Sequence, residues 1–356
     1  MRAFVEALDR HQVALYLLAI AAGVVVVVVA PAASASLSIA INPALALLIF
    51  ATFLGVPFTR LGAGLRDGRF LAAVFGVNFA LVPLVVWALT RPFAAGDSSD
   101  TGLLLGILLV LLTPCVDYVL VFTRLAGGQA ERLLALTPLL MLAQMALLPV
   151  YLWLFLGSEA ARIVRPGPFL EAFLLLIALP LLASVLVRWA SERSRAVRLF
   201  GDTVFDAMVP LMMLTLFLVV TSQIGAVGGA IGALLPAIPV FLAFAAVMVV
   251  LGRIVGRAAR LDVPRRRALV FTGVTRNSLV VLPLALALPG TGAVAGHSPA
   301  AGVGASTAAG SGTIGVTPDT ADAALAPLVV VTQTLVELLV MVALVRLVPK
   351  LIPENR

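Results

Sequence analysis

The sequence predicts an all-α polytopic membrane protein, with ten transmembrane helices in two inverted sets of five. Three observations carry this expectation. First, 62% of the 356 residues are hydrophobic and only 12% are charged, against about 25% charged in soluble domains. Second, the mean hydropathy is +1.15, and ten segments reach the length of about twenty apolar residues that crosses a bilayer as a helix. Third, the Lys and Arg residues between those segments are distributed very unequally over the two sides.

In chain order the segments are 13–30, 38–59, 70–90, 102–123, 133–156, 168–187, 204–224, 233–252, 268–289 and 323–345. The first follows Arg2 and Arg10 and precedes PAASAS, so a cleaved secretory signal is its rival reading. The apolar run from Val13 to Ala30 exceeds a signal core of about 7–15 residues. Alternating the connections places twenty Lys and Arg on one side: Arg2, Arg10, Arg60, Arg66, Arg69, Arg124, Arg132, Arg188, Arg193, Arg195, Arg198, six arginines in 253–267, Arg346, Lys350 and Arg356. The other side receives Arg91, Arg162 and Arg165, and Arg276 alone falls inside a span. By the positive-inside rule both termini are then cytoplasmic and the protein is a multi-pass plasma (inner) membrane protein. The connection 290–322, rich in Gly, Ala, Ser and Thr, is expected to be a flexible extracellular loop.

Ten spans divide into a first repeat, 1–156, and a second, 168–356, and an odd number of spans per half inverts the second. Two echoes support the division. TPLLMLAQ (137–144) in span five matches APLVVVTQ (326–333) in span ten, each ending in a glutamine, Gln144 and Gln333. Asn42-Pro43 in span two matches Val209-Pro210 in span seven.

Several function classes are excluded. A pI near 10.8 does not indicate nucleic acid, because the basic residues are scattered between oily segments without an aromatic-basic surface. The single cysteine precludes an intrachain disulfide and a cysteine cluster. His11 and His297 lie far apart in the chain, which argues against a histidine metal site or a His-dependent triad. Cys115 with Asp117 makes a poor dyad, since a carboxylate is too weak a base for an ordinary thiol. No enzyme, metal or cofactor is therefore expected.

Ionisable residues inside a span cost about 2.5–3.5 kcal/mol at the helix centre, and they persist when paired or facing an aqueous cavity. The deep ones are Asp117, Arg276 and Glu337; Asp206 and Glu171 lie nearer span ends. Asp117 falls roughly 22 Å from the outer end of span four and Arg276 roughly 12 Å from the inner end of span nine. The two are thus at comparable depth in corresponding spans and are expected to face each other or one wet cavity. Pro114 lacks an N–H and is expected to break span four. Span nine carries the polar run Thr275-Arg276-Asn277-Ser278, then Pro283, which is expected to break it. Interrupted helices at matching positions of two repeats point to a transporter's binding site. Cys115 directly follows the first break; a lone cysteine is also commonly a small buried apolar residue.

TPCVDYVLVFTRLAGG (113–128) resembles the fourth-helix motif of the arsenite permease family, within the bile acid/arsenite/riboflavin transporter superfamily. FTGVTRNSLVVLPLALALP (271–289) is similar to that family's ninth-helix motif. The resemblance implies broken fourth and ninth helices that cross, a core domain holding the crossing and a panel domain moving against it. Cys115 then matches the cysteine that arsenite permeases need. Two features depart from the family: Arg276-Asn277 stands where paired asparagines are usual, and Leu279 falls near an expected acid. Asp117 or Glu337 is expected to supply the missing carboxylate.

The resulting expectation is a secondary transporter that expels arsenite or a related small oxyacid in exchange for protons. Cys115, Thr113, Arg276, Asn277 and Ser278 would bind substrate. Asp117, Arg276 and Glu337 would serve coupling or charge compensation. Asn42, Gln144 and Gln333 would line the cavity. Sodium-coupled uptake of an organic anion is the alternative within the same fold, and a passive channel is the alternative of another class. The sequence assigns no oligomeric state.

Overall fold

A computed structural model describes residues 2–30, 37, 39–55, 67–94, 101–115, 118–157, 174–229, 231–286 and 325–354. The expected loop 290–322 lies outside the described residues. Among those described the chain is helical and forms no strand; its one extended pairing is an isolated bridge between Pro114 and Arg276.

The helices are α1 (Arg2–Val29), α2 (Ile41–Gly55), α3 (Gly68–Gly76), α4 (Val82–Ala94), α5 (Thr101–Leu111), α6 (Val119–Leu125), α7 (Ala130–Leu156), α8 (Leu179–Ser191), α9 (Arg195–Asp206), α10 (Met208–Gly229), α11 (Ile231–Leu234), α12 (Ala237–Ala258), α13 (Val263–Val274), α14 (Ser278–Leu286) and α15 (Leu325–Leu351). A π turn, Val77–Leu81, joins α3 to α4, and another, Leu174–Ala178, precedes α8.

Among the described residues, four helical stretches are long and apolar enough to cross a membrane: Gly68–Phe93, Leu139–Leu156, Ile231–Ala258 and Leu325–Leu351. Counting the pair α9–α10, bent by 49°, gives five. The outer surface agrees with lipid as solvent. Leu18, Val28, Leu154 and Leu339 are large, apolar and well exposed, whereas soluble proteins rarely leave contiguous apolar surface uncovered. Trp87, Trp153 and Trp189 are also half exposed or more, as aromatic rings at a membrane boundary are.

Most of the packing falls within two groups, which meet where α10 touches α15 and α2 touches α14. α1 lies along α10, while α2 packs on α8 and α10. In the other group α12 packs on α13, α15 on α5, α14 on α15, and α4 on α5 and α12. The second group contains two interrupted helix pairs, α5–α6 and α13–α14. α9 follows the N-cap Ser194, whose hydroxyl accepts from Val197 N at 3.5 Å. No residue of α9 is buried, and Leu199, Phe200 and Phe205 are exposed beside Arg195, Arg198 and Asp202. Such an amphipathic helix suits the membrane–water boundary. The sequence reading treated most of this stretch as a connection.

One end of the bundle is tied by arginines. Asp67 accepts from Phe70 N at the start of α3 and pairs with Arg132 of α7 and Arg265 of α13. The short α6 ends at Leu125 with Ala126 as its cap, and Gly127 follows with a φ of +67°, which suits glycine. Arg267, only 6% exposed, then gathers the loose chain ends. Its guanidinium donates to Ala126 O (3.2 Å), Gly127 O (3.4 Å) and twice to Ile352 O (3.2 and 3.0 Å). Its ion pair with the exposed Glu354 contributes little by comparison. Arg267→Ala abandons these buried carbonyls at about 1–3 kcal/mol each. We expect a lowered melting temperature and faster proteolysis of the C-terminal end, and equal values in both assays would contradict this role.

Candidate functional site at the crossing of two broken helices

Pro114 has no N–H to give, and a helix reaching it loses a bond and meets a steric clash. α5 accordingly ends at Leu111, and the next described helix begins at Val119. In the other broken span α13 ends at Val274 and α14 begins at Ser278. Backbone freed inside a membrane must find partners within the protein. Here each break supplies the other: Cys115 N donates to Thr275 O (3.2 Å) and Asn277 N donates to Thr113 O (2.8 Å). The two broken spans thus meet break to break in one antiparallel bridge.

Arg276 lies at the centre and is wholly buried. Its Nη1 donates to Leu111 O at 3.3 Å. Its Nη2 is shared among Thr272 O (2.7 Å), Gly273 O (2.8 Å) and Asn78 Oδ1 (2.9 Å). The positive charge therefore rests against the C-terminal carbonyls of both α5 and α13, where helix dipoles favour a cation. The face of Phe244 lies 5.4 Å from the guanidinium carbon.

Glu337 of α15, 4% exposed, is held from another direction. Its carboxylate accepts from the backbone N of Arg276 (2.9 Å), from the Tyr118 hydroxyl (2.8 Å) and from Gln333 Nε2. Tyr118 has one proton, and Arg276 O at 3.1 Å is its other acceptor in reach. The carboxylate thus sits just before the N-terminus of α14, the end that favours negative charge. Each charge is matched to helix ends, and no direct ion pair joins the two side chains among the described residues.

The expected site residues fare differently. Cys115, Thr113, Asn277 and Ser278 are all buried at the crossing. Thr113 gives its hydroxyl to Leu109 O and Val110 O, both at 3.1 Å, and reaches the other break through its carbonyl. Asn277 accepts weakly from Val280 N through Oδ1, and its Nδ2 is buried without a partner among the described residues. Both polar atoms of Gln144, Gln333 Oε1 and Arg276 Nε are likewise unmatched. Buried polar atoms of this kind call for a water or a ligand. Asp117 and the side chain of Asn42 lie outside the described residues, as does the side chain of Pro283.

Pro283 requires a correction. It was expected as a helix break, yet α14 runs through it from Ser278 to Leu286. A proline removes one backbone bond and bends a helix without necessarily ending it. The interruption lies upstream, where Thr275 and Asn277 turn their backbone to the other break. Two site residues were also missed. Asn78 is presented by the π turn, donates to Val74 O (3.0 Å) and Thr272 Oγ1 (3.3 Å), and accepts from Arg276. Single π turns inside helices often mark functional positions, and here the freed Phe79 carbonyl accepts from the Tyr151 hydroxyl at 2.6 Å. Tyr118 is the other. A lone asparagine in span three and a tyrosine just past Pro114 were the available signals.

A narrow cleft beside the crossing is lined by Leu111, Phe241, Phe244, Val274, Gln333 and Glu337. Its free volume is about 10 Å³, roughly enough for one water. No group of three or more metal-ligating side chains occurs among the described residues.

Apolar spans, an oily exterior and paired helix breaks around buried charges define a multi-pass helical membrane protein. The model of the sodium bile acid symporter family matches residues 42–231. That is more than half of the chain, which belongs to this family. No curated protein matches the sequence. The match includes the first break and Asn78, while Arg276 and Glu337 lie beyond it.

Proposed function

We propose that this protein is a secondary active transporter that expels arsenite or a related small oxyacid in exchange for protons, with its substrate site at the helix crossing. Family membership supports transport. The observation that carries the site is the break-to-break bridge with Cys115 inside it. Ten spans in two inverted repeats, 1–156 and 168–356, and cytoplasmic termini in the plasma membrane complete the reading. The paired breaks and the two buried glutamines, Gln144 and Gln333, support the repeat.

Arsenic(III) is thiophilic, and a thiolate or thiol is a soft ligand. One As–OH group would condense with the Cys115 thiol, forming one As–S bond and releasing one water; hydrolysis on the far side reverses it. A single sulfur binds more weakly than a three-sulfur trap, which suits release. Asn277 Nδ2 and the Ser278 hydroxyl, both buried without a partner among the described residues, would hydrogen-bond the oxyacid oxygens. The cleft is too small for cargo, so loading requires the helix group α1, α2, α8 and α10 to move against the group that holds the crossing. Glu337, with Asp117, is our candidate proton carrier.

Cys115→Ser is the direct test. Its expression in arsenite-sensitive cells is expected to leave them no better protected than cells lacking the protein; protection equal to the original would remove sulfur from the mechanism. Glu337→Gln in everted vesicles is expected to make flux indifferent to an imposed pH gradient. A flux that still follows the gradient would move proton coupling to another group. The family's name favours a second reading, sodium-coupled uptake of an organic anion, and the role of Arg276 separates the two.

A further inference from the structure

Among the described residues the Arg276 guanidinium makes no ion pair. Its four acceptors among those residues are all neutral oxygens: three main-chain carbonyls, of Leu111, Thr272 and Gly273, and the side-chain oxygen of Asn78. They converge from three separate pieces of the fold, namely the end of α5, the end of α13 and the π turn after α3. Carbonyl oxygens at unwound helix ends are the ligand set that holds a coupling alkali ion in transporters built from broken helices. Hard, small cations take just such oxygen donors. In this chain the cation among those oxygens is covalently attached to α13's own continuation, and it is fully buried.

We propose that Arg276 is a resident cation that occupies the place of a coupling sodium, and that transport by this protein therefore needs no sodium. This rests on the transporter reading above, and it selects the sodium-independent branch of it. A dissociable ion would tie the three pieces together only while bound, and its binding would link their arrangement to the sodium gradient. A tethered guanidinium keeps the charge and most of the contacts through every cycle. The same contacts then stabilise the crossing at all sodium concentrations, and the carboxylate of Glu337 keeps its Arg276 backbone N–H partner. Removing the side chain would leave four inward-facing oxygens without the guanidinium and open a space that a small monovalent cation can enter.

The test compares thermal unfolding of the purified protein in sodium chloride and in choline chloride at equal ionic strength. It uses the unaltered protein, Arg276→Ala and Arg276→Lys. The unaltered protein is expected to melt alike in both salts, and its substrate flux in proteoliposomes to change less than twofold when sodium is replaced. Arg276→Ala is expected to melt lower in choline and to recover partly with sodium chloride or with millimolar guanidinium chloride. Arg276→Lys, which keeps a charge, is expected to remain indifferent to sodium. Sodium-specific stabilisation of the unaltered protein, or a flux that rises tenfold or more with sodium, would overturn the proposal. So would a folded Arg276→Ala that neither cation stabilises. If Arg276→Ala does not fold, the unaltered protein and Arg276→Lys still decide the matter. The melting experiment needs no substrate. A protein that carries no oxyacid yet shows this salt pattern would refute the substrate assignment and leave the resident cation in place.

Discussion

Glu337→Ala is expected to destabilise the protein by about 2–6 kcal/mol, because two buried donors are left without an acceptor at about 1–3 kcal/mol each. Three donors lose their acceptor at once: the Tyr118 hydroxyl, the Arg276 backbone N–H and the Gln333 amide. The Tyr118 hydroxyl can turn to Arg276 O, but the other two have no second acceptor among the described contacts. The Arg276 guanidinium keeps its carbonyl partners, but the negative charge held by its own backbone N–H is lost. α15 loses its polar attachment to the start of α14, so the two should loosen together. Glu337→Gln keeps the shape and one carbonyl acceptor, and its cost should stay near the 1–3 kcal/mol of an imperfectly matched buried polar group. Thermal unfolding of the three proteins in one detergent would show the order original, Gln, Ala. An alanine variant that melts with the original would mean that the carboxylate is not the anchor described.

The residues that announced the crossing did so because membranes penalise them. Pro114 and the run Thr275-Arg276-Asn277-Ser278 are costly inside an apolar helix, and both mark interruptions. Glu337, Gln144 and Gln333 stood out for the same reason and are buried. What each polar group faces was not legible, because pairing depends on where helices distant in sequence approach. Arg276 was expected to face Asp117 or to share a wet cavity with it; Asp117 lies outside the described residues, and among those described the guanidinium meets carbonyl ends while the backbone N–H meets Glu337. Asn78 acts through a π turn, a one-residue irregularity that hydropathy cannot register. Pro283 was overweighted, since a proline's local cost does not tell whether a helix ends or merely bends. The start of α13 at Val263 escaped the span estimate because Arg265, Arg266 and Arg267 lower the hydropathy there. The N-cap Asp262, accepting from Arg265 N at 3.1 Å, and Pro264 in the first turn were the legible start signals.

The second large effect is expected far from any charge, at Gly106. This glycine lets α5 approach α15, and a Cβ there would lie 2.6 Å from Val329 Cβ and 2.9 Å from Ala326 O. Contacts of that kind bring membrane helices together through small residues. The obstruction is a Cβ and a backbone carbonyl, neither of which can swing aside, so the helices themselves must separate. Gly106→Ala should cost about 1–3 kcal/mol as overpacking, and Gly106→Leu more. The displacement would reach the site, because α5 ends at Leu111, whose carbonyl accepts from Arg276, and α15 carries Glu337. Transport should therefore fall along with stability. Gly76→Ala is the matching control: nothing lies within 4 Å of a Cβ there, and replacing a helical glycine should be neutral or stabilising by up to about 1 kcal/mol. Adding Val329→Gly to Gly106→Ala removes the nearer obstruction and should recover part of the loss, giving a coupling of about 0.5–3 kcal/mol in a double-mutant cycle. Strictly additive effects, or a Gly106→Ala protein as stable as the Gly76→Ala control, would mean that the two helices are not in the contact described.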